Sequence, residues 1–304
     1  MKFLTYSTFY SVLAIALTTS IPAFADRIIH RENSLYSHIV VKQDGNVICL
    51  QFDVRRNLRN QTCMNQRRPK EMVFAYTKMS MATLLFTPEP KKILVVGLGG
   101  GTLPMAFADL VKEVEIDSIE IDPAVVKIAE KYFGYQSTKN VRVHEQDARV
   151  WVKRTRLRGQ QQYDVIILDA FNGEYIPEHL MTVEFFDDLR ALLAPGGTLA
   201  ANTFTISKLY NHESATFAAV FGDFINFRVT ESANRLVVVP TNEITDEALR
   251  TRAQDLEEAL KPYKIPIKRY AKILTKARKA RPDWNQDARP LTDQYSPANL
   301  LQAD

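Results

Sequence analysis

Four glycines and three carboxylates in the middle of the chain are the residue types able to hold a nucleoside and act on what it carries. Gly97, Gly99, Gly100 and Gly101 lie in the run KKILVVGLGGGT at 91–102. Without Cβ atoms they let the backbone turn tightly and approach a ligand closely. Glu120 follows about twenty residues after the loop, where a carboxylate accepts both ribose hydroxyls of a bound nucleoside. Asp147 and Ala148 stand where an adenine amino group could be read, although an Asp before a helical stretch also serves as its N-cap. Asp169 opens the run DAFNGEYIPEH, a loop facing the same ligand.

These residues need elements that bring them to one edge. Residues 93–96 and 116–121 are short apolar runs, which predict strands buried on both faces. A helical pattern begins at Leu103, and Asp122 with Pro123 starts a helix over 124–133. Strands over 141–145, 163–169 and 198–203 alternate with helices over 148–158, 183–193 and 212–221. The helix over 183–193 ends at the stop signal Pro195-Gly196-Gly197. Regular βα alternation predicts a parallel sheet wrapped by helices, with ligands bound at the carboxyl ends of its strands. Gly97–Gly101, Glu120, Asp147 and Asp169 all fall at such ends. A closing antiparallel pair, 224–229 and 235–239, fits the seven-stranded sheet of adenosylmethionine-dependent transferases better than a dinucleotide dehydrogenase.

Ahead of this core, strands over 39–41, 47–52 and 61–64 alternate with turn signals such as Asp44-Gly45-Asn46 and predict a small antiparallel β-unit. A helical stretch over 72–86 leads to Pro88 and Pro90. The expected layout is a signal peptide over 1–25, a β-domain with connecting helix over 26–87, a Rossmann-like core over 88–242, and a basic extension over 243–304 that begins with a helix over 246–260. The chain of 304 residues has room for one large domain or one domain with a smaller one. Its formal charge of +4 is mild, and no nucleic-acid partner is expected.

Lys2, the apolar residues 9–21, Pro22 and Ala23-Phe24-Ala25 fit an export signal cleaved after Ala25. The alternative is an uncleaved membrane anchor. No second long apolar run follows, so no membrane span is expected after cleavage. Export gives Cys49 and Cys63 two readings, a cross-strand disulfide closing their hairpin or two unpaired thiols. Two cysteines without a nearby His or acid cluster supply too few ligands for a metal.

From 27 to 240 the chain resembles the spermidine synthase (polyamine aminopropyltransferase) family. His30-Arg31-Glu32-Asn33-Ser34-Leu35-Tyr36 is similar to that family's entry to its N-terminal β-domain. Phe74-Ala75-Tyr76 is similar to its segment before the glycine loop, and DAFNGEYIPEHLMTVEFF at 169–186 to its gatekeeping loop. The resemblance implies that Glu120 holds the ribose and Asp147 the adenine, that Asp169 lies beside the sulfonium, and that Tyr76 borders the acceptor. The donor is then S-adenosylmethionine or its decarboxylated form, the acceptor a small molecule, and a homodimer through the N-terminal β-domain is expected.

Several positions depart from the family's pattern. Gly100 stands where an Asp usually holds the amine of the decarboxylated donor. Asn172 stands where a second Asp usually deprotonates the attacking amine; an amide cannot act as a base, and Glu174 is the candidate substitute. Ser37 replaces the Gln expected after Tyr36, and Thr77-Lys78 follows Tyr76. Gly100 removes a charge that would repel a carboxylate, and so favours intact adenosylmethionine. The leading reading is aminopropyl transfer to a polyamine by a seven-stranded methyltransferase-type α/β fold. Methyl transfer and a non-catalytic nucleoside-binding or scaffolding protein are the alternatives.

Overall fold

The computed structural model of the chain describes residues 27–54, 57–159, 162–171 and 176–297. The expected export signal, Asn172 and Glu174 lie outside these residues. No helix among the described residues is long and apolar enough to cross a membrane.

The N-terminal unit is an antiparallel meander of β1 (Arg27–Asn33), β2 (His38–Asp44), β3 (Val47–Val54) and β4 (Asn57–Asn65), paired in that order. Alternation decides its inner face: Ile39, Val41, Ile48 and Leu50 are buried together on one side. β1 was not expected from the sequence, because its run RIIHREN is mostly polar and it forms an outer strand with largely open side chains. Cys49 and Cys63 face each other across β3 and β4 and are joined as a disulfide.

A short helix, α1 (Ala75–Ser80), continues into a 3-10 turn (Met81–Leu85) and leads to the main sheet. The βα units follow as β5 (Lys92–Val96), α2 (Thr102–Leu110), β6 (Glu115–Glu120), α3 (Pro123–Tyr132), β7 (Val141–Glu145), α4 (Ala148–Arg158), β8 (Tyr163–Leu168) and α5 (Val183–Leu192). β9 (Leu193–Phe204), α6 (Tyr210–Phe221), β10 (Ile225–Arg228) and β11 (Asn234–Pro240) complete them. The strand order is β10-β11-β9-β8-β5-β6-β7, with β11 alone running against the other six. The switch point lies between β5 and β8, where ligands of doubly wound sheets bind. The buried face of the N-terminal meander packs on Val125, Ile128 and Phe133, which sets β4 beside the glycine loop.

Two local expectations change. Pro195-Gly196-Gly197 does not separate a helix from a strand; β9 starts at Leu193, directly after α5. Its register with β8 jumps from Tyr163↔Leu193 to Val165↔Thr198, so residues 194–197 bulge from the ladder. The tail carries α7 (Asp246–Asp255), α8 (Glu257–Leu260) and α9 (Ile267–Ala277). α9 was hidden by its many lysines and arginines. Ile267, Tyr270, Ala271 and Leu274 recur at helical spacing, are buried in the main core, and set Tyr270 edge-on to Phe227 at 5.1 Å.

Candidate functional site

A cleft opens over the switch point, between the carboxyl ends of the strands and β4. Gly97 leaves β5 at φ 97°, a left-handed conformation suited to glycine, and a Cβ there would lie 2.3 Å from the carbonyl oxygen of Asp169. The first turn of the loop is thereby pressed against the tip of β8. Gly99, Gly100 and Leu98 line the cleft with it. Gly101 sits behind them, packed on Tyr135, and is the residue from which α2 starts.

Glu120 ends β6 and faces the loop. Its carboxylate accepts the backbone N–H of Leu98 at 3.1 Å and of Asp122 at 3.0 Å. Burial pushes its carboxyl above the usual range, and these N–H groups oppose that by stabilising the charge. Asp122 caps α3 through the Ala124 N–H and accepts the Ser34 hydroxyl from the β1–β2 loop. That hydrogen bond ties the N-terminal sheet to the Glu120 side of the cleft.

Asp147 is at the tip of β7, but its side chain caps α4 through the Val150 N–H at 2.9 Å and reaches His179 at 3.3 Å. Its neighbours Gln146 and Ala148, rather than Asp147, line the cleft. The residue thus takes the helix-cap role that its position before a helical stretch allowed.

Asp169, at the tip of β8, is the carboxylate on which two side-chain donors converge. It accepts Asn202 Nδ2 at 2.9 Å and a hydrogen bond from the Tyr76 hydroxyl. Burial pushes its carboxyl up to about 7, against the stabilising pull of those two donors. The same Tyr76 hydroxyl, which has a single proton, lies 3.2 Å from the carbonyl of Gln61, and the ring stacks on Phe74. Burial, and then the charge of Asp169, hold its hydroxyl well above the usual tyrosine range, so it stays a donor. The sequence reading therefore placed Tyr76, Asp169, Glu120 and the loop in one cleft, where the structure has them.

Other contributors escaped it. Asn202 stands alone as an amide in the apolar run LAANTF, and that break in β9 was the available signal. Gln61 and Thr62 come from β4, which only tertiary packing brings over the loop. Among the described residues lining the cleft, Glu120, Asp122 and Asp169 carry carboxylates, and none is Lys, Arg or His. Lys78 does not line it. No group of three or more His, Cys, Asp or Glu able to hold a metal occurs among the described residues.

Residues 70–243 match the spermine/spermidine synthase domain. The chain is 50% identical over 277 residues to a polyamine aminopropyltransferase of Vibrio vulnificus, covering 90% of this chain and 91% of that one. Its fold is similar to that of a probable spermidine synthase from Corynebacterium glutamicum, with a TM-score of 0.65 at 20% identity, over 89% of this chain and 98% of that one. It is also similar to human methyltransferase-like protein 13 in complex with SAH, with a TM-score of 0.52 at 22% identity, over 74% of this chain and 97% of that one.

Proposed function

Because the chain belongs to the spermine/spermidine synthase family, we propose that it transfers an aminopropyl group from decarboxylated adenosylmethionine to an aliphatic polyamine. The observation that carries this reading is the pair Asp169–Tyr76 in a cleft whose described lining holds three carboxylates and no cationic side chain. Such walls attract a polycation and a donor whose tail carries an ammonium without a carboxylate. This outweighs the preference for the intact donor that the missing acid at Gly100 suggested.

In this reading Glu120 accepts the ribose hydroxyls, and Gln146 and Ala148 border the adenine. Asp169 takes one proton from the acceptor ammonium, its carboxyl near neutrality being suited to a base. The freed nitrogen lone pair attacks the methylene carbon beside the sulfonium. The new N–C bond forms as the S–C bond breaks, and methylthioadenosine leaves with the electron pair on sulfur. The remaining work is orientation of the two reactants in line and away from water. Tyr76 holds Asp169 in place and keeps its own proton.

The test is product analysis with each donor and a diamine acceptor. Methylthioadenosine and an aminopropylated amine are expected from the decarboxylated donor. Adenosylhomocysteine from the intact donor would instead establish methyl transfer, the reading that Gly100 favours; no product from either would leave a ligand-binding role. We further propose export with cleavage before Asp26, supported by the Ala23-Phe24-Ala25 pattern and by the Cys49–Cys63 disulfide, a bond typical of oxidising compartments. Intact mass of the protein recovered from its host tests it.

A further inference from the structure

Behind Asp169 stands a file of neutral side chains that no step above uses. Asn202, 1% exposed near the end of β9, donates a hydrogen bond from Nδ2 to Asp169 Oδ1 at 2.9 Å. Its own Oδ1 accepts from Asn234 Nδ2 at 3.0 Å. Asn234 Oδ1 accepts the Ser232 hydroxyl at 2.8 Å, and the oxygen of that hydroxyl accepts the Asn234 backbone N–H at 3.1 Å. An amide has a donor end and an acceptor end. The ionised Asp169 only accepts, so Asn202 turns N–H to it and its carbonyl to Asn234 Nδ2, and Asn234 Oδ1 is left to accept the Ser232 hydroxyl.

We propose that Asn202 and Asn234 form a positioning relay that reserves Asp169 Oδ1 as an acceptor of N–H and so directs the proton of the attacking ammonium to Oδ2. This rests on the aminopropyl-transfer reading. In the step concerned, an N–H bond of the acceptor ammonium breaks, an O–H bond forms at Oδ2, and the electron pair stays on nitrogen. A cation in place of Asn202 would lower the carboxyl by roughly 1–3 units and leave a poor base, whereas a neutral amide orients it more gently. The charged neighbours are arranged accordingly. Arg235, beside Asn234 in sequence, is paired with Glu213 at 2.8 Å, away from the relay. Tyr76 on α1 is the other donor to Asp169, and Glu120 and Asp122 are the other titratable groups that line the cleft.

Two readouts test the relay in Asn202→Leu and Asn234→Ala. The first is the side-chain 13C carboxyl titration of Asp169, assigned by its loss in Asp169→Asn. The second is the pH profile of kcat/KM for the acceptor. Asn202→Leu should raise the Asp169 midpoint by about one unit, a ten-fold change in proton affinity, and Asn234→Ala should raise it in the same direction by less. The acid limb of the rate profile should move with it, while donor KM holds. If Asn234→Ala does not fold, Asn234→Asp keeps the shape and removes the donor. Its carboxylate draws the Asn202 NH2 round and turns a carbonyl on Asp169, so the shift should be larger. A midpoint unmoved in the folded Asn234 variant overturns the relay, even if its stability falls. Absence of transfer by the wild type overturns the functional reading alone, because the carboxyl titration still judges the relay.

Discussion

Gly100 was read from the sequence as a position from which a carboxylate had been removed, and the structure shows what fills the space. A Cβ at Gly100 would lie 2.6 Å from Thr62 Cγ2, 3.0 Å from Thr62 Oγ1 and 3.1 Å from Phe133 Cγ. Thr62 cannot easily retreat: it is 4% exposed, its hydroxyl lies 3.4 Å from that of Thr102, and the next residue is tied to Cys49 by the disulfide. Gly100→Ala should therefore destabilise by about 1–3 kcal/mol, the usual range for overpacking. Thr62→Ala removes both nearest atoms, so the double variant should recover about 1–2 kcal/mol relative to the sum of the single ones, a coupling measured by urea unfolding of all four proteins. Thr62→Ala with Gly100→Asp then offers a carboxylate to the donor's tail without the collision with Thr62, leaving only the 3.1 Å approach to Phe133. Two like charges about 4 Å apart near a partly wet surface repel by up to ~4 kcal/mol, so calorimetric titration should show the preference for the decarboxylated donor widen by at least about ten-fold. A Gly100→Ala protein as stable as the wild type, or strictly additive effects, would refute the packing argument. An unchanged affinity ratio in the Asp double variant would show that the donor's tail does not lie here.

Glu120→Gln keeps the shape but removes the charge that the proposed reading offers to the ribose hydroxyls; at roughly 1.5–3 kcal/mol for a charged hydrogen bond, methylthioadenosine affinity should fall about ten-fold or more in calorimetry. Asp169 must lose its proton to act as a base, so kcat/KM for the acceptor should rise with pH through about 7, and Asp169→Asn should lower the rate by about 10²–10⁴. The same group affects stability. An unfolded Asp gives up its proton near 3.9, so between about 4 and about 7 the unfolded chain binds fewer protons than the folded one, and stability should fall as pH rises across that window. Asp169→Asn should flatten that slope in urea titrations at several pH values. Opening the disulfide between Cys49 and Cys63, 14 residues apart, should cost about 3 kcal/mol in the loop-entropy model, read as a lower urea midpoint for Cys49→Ala/Cys63→Ala.

The glycine-loop side of the cleft was legible because each of its groups is announced by local chemistry. A glycine cluster after a buried apolar run, and an acid at the end of the next such run, leave few other uses for that chain geometry. Asp147 shows the limit of that logic: the same residue type at the same strand tip also satisfies a helix terminus, and its contacts with Val150 and His179 are visible only in the structure. The facing wall could not be read this way, since it comes from elements far apart in sequence. Thr62 reaches Gly100 only because Ile39, Val41, Ile48 and Leu50 seat the meander on α3. The relay from Ser232 to Asp169 likewise crosses from the turn before β11 to β9 and then to β8. Single polar residues in such strands have no periodicity to mark them. A family pattern that lacks its usual acids at positions 100 and 172 is therefore best judged by what surrounds those positions, and around Gly100 that is a packed threonine and a ring.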